Sequence, residues 1–241
     1  MKKAKNFIIV LIALISAMSV KAQTADDIVA KHIAAIGGKE KLGQINSVYM
    51  ESTTEAMGNE SPTKTYVVNG KNYRTESDFG GQQMVQVVND KSGWAIMPFG
   101  GSTDPAVMPD NDFKAGADQV YVGGSLANYS AAGGKVELAG QEKINNVNAY
   151  KIKYTNKFGV ETTYYVDPST YYVVESVRQG NMMGQTITIT TTYSNYQKTD
   201  FGVAFPYTAN IDMGQFSLTV NTKKVEINKE IDPKIFELPK K

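Results

Sequence analysis

The chain has no cysteine, one histidine, His32, and one tryptophan, Trp94, in 241 residues. Without cysteine it can form no disulfide, offer no thiolate to a metal and carry no thioether-linked lipid. A lone histidine rules out the paired-histidine motifs of zinc hydrolases. Nothing sets serine and aspartate partners around His32 at the spacing a hydrolytic triad needs. His32 falls on the apolar side of a helical stretch, where a core role is expected. No glycine-rich loop leads from a strand into a helix, so Gly80-Gly81 and Gly123-Gly124 read as turn pairs. Asp110-Asn111-Asp112 begins like a calcium loop, but Phe113-Lys114 breaks it. No catalytic residue, metal site or cofactor is therefore expected. A hydrolase built on an unrecognised carboxylate pair is the least favoured alternative.

The first 22 residues read as a secretory signal peptide. Met1-Lys2-Lys3-Ala4-Lys5 is a basic start, residues 7–20 are an apolar run, and Val20-Lys21-Ala22 supplies a cleavage site before Gln23. An exported chain without cysteine fits a soluble, non-lipidated protein of the bacterial periplasm. The signal holds four of the 25 basic residues and none of the 24 acidic ones, which leaves 21 against 24, a net charge of −3. That balance excludes a nucleic-acid binder on charge grounds and gives no basic stripe for anionic lipid.

After Gln23 the periodicity divides the chain. Thr24-Ala25-Asp26-Asp27 reads as a capped helix start, Ile28, His32, Ile33 and Ile36 recur at helical spacing, and Gly37-Gly38 stops the helix. A second short turn is expected over 39–45. From Ser47 the period becomes two, with strands near 62–69, 72–79, 82–89 and 93–99. A second β run starts near Lys135. Its clearest member, 186–193, alternates inward isoleucine with outward threonine, as a sheet with one wet face requires. About eleven or twelve strands are expected in a mostly β, α+β single domain spanning 23–241. Phe216, Leu218 and Val220 sit at even positions, whereas Val225 and Ile227 sit at odd ones, so a bulge is predicted near Lys223-Lys224. Asp232-Pro233 should open a single helical turn, with Phe236 and Leu238 plugging an open end of the sheet. Residues 102–133 interrupt the β pattern. Helical spacing at Phe113, Ala117 and Val120 behind an Asp110 or Asn111 cap allows either a lid or a crossover packed on the sheet.

The turns alternate in chemistry. Met57-Gly58, Phe79-Gly80, Phe99-Gly100, Phe158-Gly159, Met182-Met183-Gly184 and Met213-Gly214 are apolar; the turns between them are polar. Successive turns of a meander lie at opposite ends, so one rim of each half should be apolar and mark a ligand mouth, a lid contact or a partner surface. Methionine is polarisable and flexible, which suits variable apolar shapes. The expected cavity or rim residues are Trp94, Met97, Phe99, Met108, Phe113, Met182, Met183 and Met213. A half-open barrel lined by them would hold an acyl chain through buried area, about 0.8 kcal/mol per methylene.

Several segments resemble the LolA-like superfamily, exported proteins similar to outer-membrane lipoprotein-sorting proteins. They are the stretch from Thr24 to Gly38, the hairpin from Tyr150-Lys151-Ile152 to Tyr164-Tyr165-Val166, Phe205-Pro206-Tyr207 and Phe236-Glu237-Leu238-Pro239. The resemblance implies an incomplete antiparallel β-barrel with helices covering the concave face. It implies an exported carrier that holds lipid or lipoprotein acyl chains, with lipid or an acylated protein as partner. An envelope sensor or protein-interaction module using the same rim is the alternative. The arginine that helps hold the lid in the sorting protein is not assigned to Arg74 or Arg178.

Overall fold

The computed structural model describes residues 23–98, 103–182 and 184–239; the expected signal peptide lies outside them. Helix α1 (Ala25–Ala35) starts in a capping box: Asp27 N–H donates to Thr24 Oγ1 at 3.1 Å, and Thr24 N–H donates to Asp27 Oδ2 at 3.0 Å. Such a cap contributes about 1 kcal/mol. The helix ends at Gly37, where φ is +134° and an added Cβ would lie 3.0 Å from Val203. Glycine is needed there for both backbone and space. Helix α2 (Lys39–Gly43) then leads into the sheet.

Thirteen antiparallel strands follow: β1 (Ser47–Ala56), β2 (Asn59–Val68), β3 (Asn72–Phe79), β4 (Gln82–Asn89), β5 (Gly93–Ile96), β6 (Ala106–Val107), β7 (Lys135–Ile144), β8 (Val147–Thr155), β9 (Glu161–Val166), β10 (Val173–Met182), β11 (Gln185–Lys198), β12 (Ala204–Asp212) and β13 (Ser217–Ile227). Their order is 6-5-4-3-2-1-13-12-11-10-9-8-7. The two meanders are thus joined through β1 and β13, and the sheet stays open, an incomplete barrel. The count exceeds the expected eleven or twelve, and the shortest member is the two-residue β6. The predicted bulge is present: opposite Glu51/Ser52 the register steps from Lys224 to Thr222, leaving Lys223 extra. That insertion lets Leu218, Val220, Val225 and Ile227 share one face despite their change of parity.

The two edges, β6 and β7, are consecutive in sequence, and the connection between them contains helix α3 (Asp110–Gly116), a 3-10 turn (Ala117–Val120) and helix α4 (Gly124–Ala127). The first of these is capped at Pro109 without a side-chain hydrogen bond, not by Asp110 or Asn111. Phe113, Ala117 and Val120 pack on Val88 of β4, while Leu126 joins Ile28, Ile152 and Val166 under α1. All these contacts fall on one face of the sheet, the face that also carries Val48 and Val67.

The opposite face holds a separate core. Val85, Val87 and Trp94 are covered there by Phe236 of the C-terminal 3-10 turn (Pro233–Phe236). Trp94 Nε1–H donates to the Phe236 carbonyl at 3.0 Å, and Arg74 Nη1–H donates to that of Ile235 at 2.8 Å. The expected role of Phe236 as a plug for an open end is thereby corrected: it docks on the outside. Both faces of β4 are apolar, so alternation alone could not say which of them the tail covers.

Candidate ligand cavity

Among the described residues, the strand order puts the apolar turns at one rim. Ala56 of β1 pairs with Leu218 of β13, so the Met57 turn and the Met213 turn lie side by side. Stepping outward through antiparallel neighbours, the Phe79, Met182 and Phe158 turns reach this same rim, as does Met97 after β5. The sequence could place an apolar rim on each half; the β1–β13 pairing makes them one. Met57 is 76% exposed and Phe216 42%. Hydrogen bonds within these turns are made locally. Asp78 accepts from Gly81 N–H, Asn181 from Gly184 N–H, Asp212 from Gly214 N–H, and Asn156 from Phe158 and Val160 N–H.

The other rim is plugged. The Gly70 N–H in the β2–β3 turn donates to Val120 O at 2.8 Å, and Ala204 N–H donates to Ile36 O at 2.9 Å. Asn69 accepts from Val122 N–H at 3.0 Å and donates to Ile45 O at 2.9 Å. Buried His32 donates from Nδ1 to Tyr171 O at 2.8 Å, and burial holds its pKa below the usual 6.5 against the upward pull of that bond. The imidazole is a neutral core group, tying α1 to the β9–β10 connection. The Tyr154 hydroxyl donates to buried Asp118 at 2.6 Å, which fixes the 3-10 turn to β8.

Between plug and open rim lies a cavity of about 410 Å³. One wall is Gln86, Ala95, Met97 and Ala106 from β4 to β6; the other is Arg178, Gly180, Asn181 and Ile189 from β10 and β11; the floor is α3 with Gln119. Six strands separate β4 from β10 in the sheet. Both can border one cavity only because the sheet curls, so this face is the concave one. Gln86 Nε2–H donates to Gln119 Oε1 at 3.0 Å, holding the floor to β4.

The concave face is less apolar than the sequence suggested. Ser52 and Thr54 of β1, Ser61, Thr63 and Thr65 of β2, and Thr75 and Ser77 of β3 all point inward by register. Their hydroxyls partly satisfy one another: Thr54 and Thr63 lie 2.7 Å apart, and Ser52 donates to Thr222 at 3.3 Å. The wall is amphipathic, and at the cavity Ile189, Met97 and Met108 supply an apolar strip.

The structure brings together some of the expected residues and separates others. Met97 and Met108 line the cavity. Phe113 is buried beneath it, in the contact that anchors α3, with its ring 5.9 Å from that of Phe158. Trp94 is on the convex face under Phe236 and is removed from the cavity set, because β5 turns Ala95 and not Trp94 inward. Met213 is at the open rim in the β12–β13 turn, next to a separate surface hollow of about 330 Å³ lined by Ile211, Phe216 and Leu218. Met182 ends β10. Phe99 and Met183 lie outside the described residues. Sequence reading missed Arg178, Gln86 and Gln119. The available signal was an arginine in phase with inward Ser176 and Gly180 on β10. Among the described residues, no group of three His, Asp or Glu side chains could hold a metal, and no helix is long and apolar enough to cross a membrane.

No protein-family model matches the chain, and no curated protein does. Solved structures do. The chain is similar to a DUF1329 family protein from Desulfovibrio piger, at 12% identity over 90% of this chain and 98% of that one, with a TM-score of 0.58. It is similar to a LolA superfamily protein from Nitrosomonas europaea, at 14% identity with the same coverage and TM-score. A third similar structure is an outer-membrane lipoprotein-sorting protein domain from Vibrio parahaemolyticus, at 12% identity over 87% and 94% of the two chains, with a TM-score of 0.54. At these identities the likeness is one of fold.

Proposed function

Starting from the LolA-like fold of this chain, we propose that it is an exported periplasmic carrier that holds a lipid or a lipoprotein acyl chain in the concave cavity, without catalysing a reaction. The observation that carries the reading is the cavity of about 410 Å³ on the side of the open apolar rim, with the opposite rim plugged by helices. Its size falls within the usual range of ligand pockets, about 300–1,000 Å³. Burying ten methylenes contributes roughly 8 kcal/mol before the costs of association, which is enough for useful affinity with few polar contacts. In this reading α3 and its flanking segments act as the lid: they bridge the sheet's two edges, and α3 forms one side of the cavity. The test is native mass spectrometry of protein recovered gently from the periplasm, together with displacement of a hydrophobic dye by fatty acids. Bound lipid masses and competitive displacement are expected. A clean apo mass and no displacement would sink the proposal.

Exposed Met57 and Phe216 at the rim favour a second reading, a sensor or adaptor that docks an envelope protein there. In that case Met57→Ser with Phe216→Ser should abolish capture of a partner while dye displacement persists. Loss of neither would remove this reading.

A further inference from the structure

The chain has two arginines, and they are treated oppositely. Arg74, on the convex face, is fully engaged. Its Nε and Nη2 donate to Glu76 at 2.9 and 2.7 Å, and its Nη1 donates to the Ile235 carbonyl. Arg178 lines the cavity, half-buried on β10, and among the described residues no carboxylate forms an ion pair with it. Its position is built rather than incidental. In β10 it pairs with Thr162 on one side and Ile189 on the other, facing inward, and its charge acts on half-buried Tyr164 and Tyr193. Two residues on, Gly180 has no side chain to fill the space: an added Cβ would sit 2.5 Å from Ile189 Cδ1 and 3.6 Å from Arg178 Nη1.

A half-buried guanidinium gives up hydration and regains it only from an acceptor. With five donors in a planar fork, its natural complement is a carboxylate or a phosphate. Asp104 and Asp112 also border the cavity, from the insertion side. A small free anion would meet one cation and two carboxylates there. An anion attached to an alkyl chain gains the guanidinium and the apolar strip of Ile189, Met97 and Met108 together.

Resting on the lipid-binding reading above, we infer that the ligand is an anionic amphiphile, whose carboxylate or phosphate headgroup is bound by Arg178 while its chain lies along the Met97 wall toward the open rim. Arg178 is then the residue that selects the headgroup, and the apolar strip supplies affinity without selectivity.

The experiment compares three ligands of equal chain length, dodecanoate, dodecyl phosphate and dodecanol, in dye displacement from the mature chain. The unmodified protein should bind at least one anionic ligand about 10-fold more tightly than the alcohol, the scale of one charge-assisted hydrogen-bonded pair. Preference for dodecanoate would identify a fatty-acid source, and preference for dodecyl phosphate a phospholipid source. Arg178→Met should erase the preference for the anionic ligands over dodecanol, and Arg178→Lys should retain part of it. Equal binding of all three ligands by the unmodified protein would overturn the assignment of Arg178 and leave the cavity reading standing. Binding of none would overturn both. The ligand comparison in unmodified protein decides the point even if the Met variant folds poorly.

Discussion

The two rims of this half-barrel come from the same kind of turn repeated along the two meanders, yet they solve opposite problems. At the plugged rim two turns also bond to other parts of the chain, Gly70 to Val120, Asn69 to Val122 and Ile45, and Ala204 to Ile36, while the turns at Asn89 and Asp167 cap themselves. At the open rim four hairpins cap themselves with an Asp or Asn just before the apex. Polar turns hold the helices; apolar turns are left to meet something outside. Stability should therefore concentrate at one end and binding at the other.

The sharpest way to break that contrast is in the plug. Leu126→Ala removes a side chain only 1% exposed, packed against Ile28 and Ile152, and should cost roughly 2–5 kcal/mol in chemical denaturation. A loss below about 1 kcal/mol would mean that α4 is peripheral to the core. Next in size is Asn69→Ala, which leaves Val122 N–H and Ile45 O without their partner. About 1–3 kcal/mol should be lost, with faster amide exchange at Val122.

A pH titration probes the same end through His32. Its pKa is lowered in the folded state by burial, so below its ordinary value near 6.5 the unfolded chain binds the proton more readily than the folded one. Its contribution to stability is complete above that value and declines as pH falls from there toward the lower folded pKa. The denaturation midpoint of unmodified protein should drop across this window more steeply than that of His32→Gln. Parallel pH profiles would remove His32 as the cause. The smallest effect is expected at the open rim: Met57→Ser, at a side chain 76% exposed, should change stability by no more than about 0.5 kcal/mol. A large loss there would erase the distinction between the rims.

Much of the architecture was legible because its signals are local. The capping box of α1 shows in Thr24 and Asp27, and the bulge at Lys223 in a change of parity that only an extra residue can reconcile. Inward isoleucines in β11 follow from period two. The cavity was less legible. Trp94 and Ala95 are neighbours in sequence, and alternation says that they face opposite ways. It does not say which way is inward, since the convex face of β3–β5 is also covered by an apolar tail. Arg178 is in phase with Ser176 and Gly180, but β10 is polar on both faces around it, so alternation does not single it out.

By itself the sequence determined the strands, their turns and the alternation of turn chemistry, because each depends on residues a few positions apart. Only the tertiary structure decided that β13 lies against β1. That one long-range pairing merges two apolar rims into one and curls β4 toward β10, and it leaves a guanidinium facing the hollow between them. Register between distant strands is set by the packing of a whole face, which no local window of residues contains.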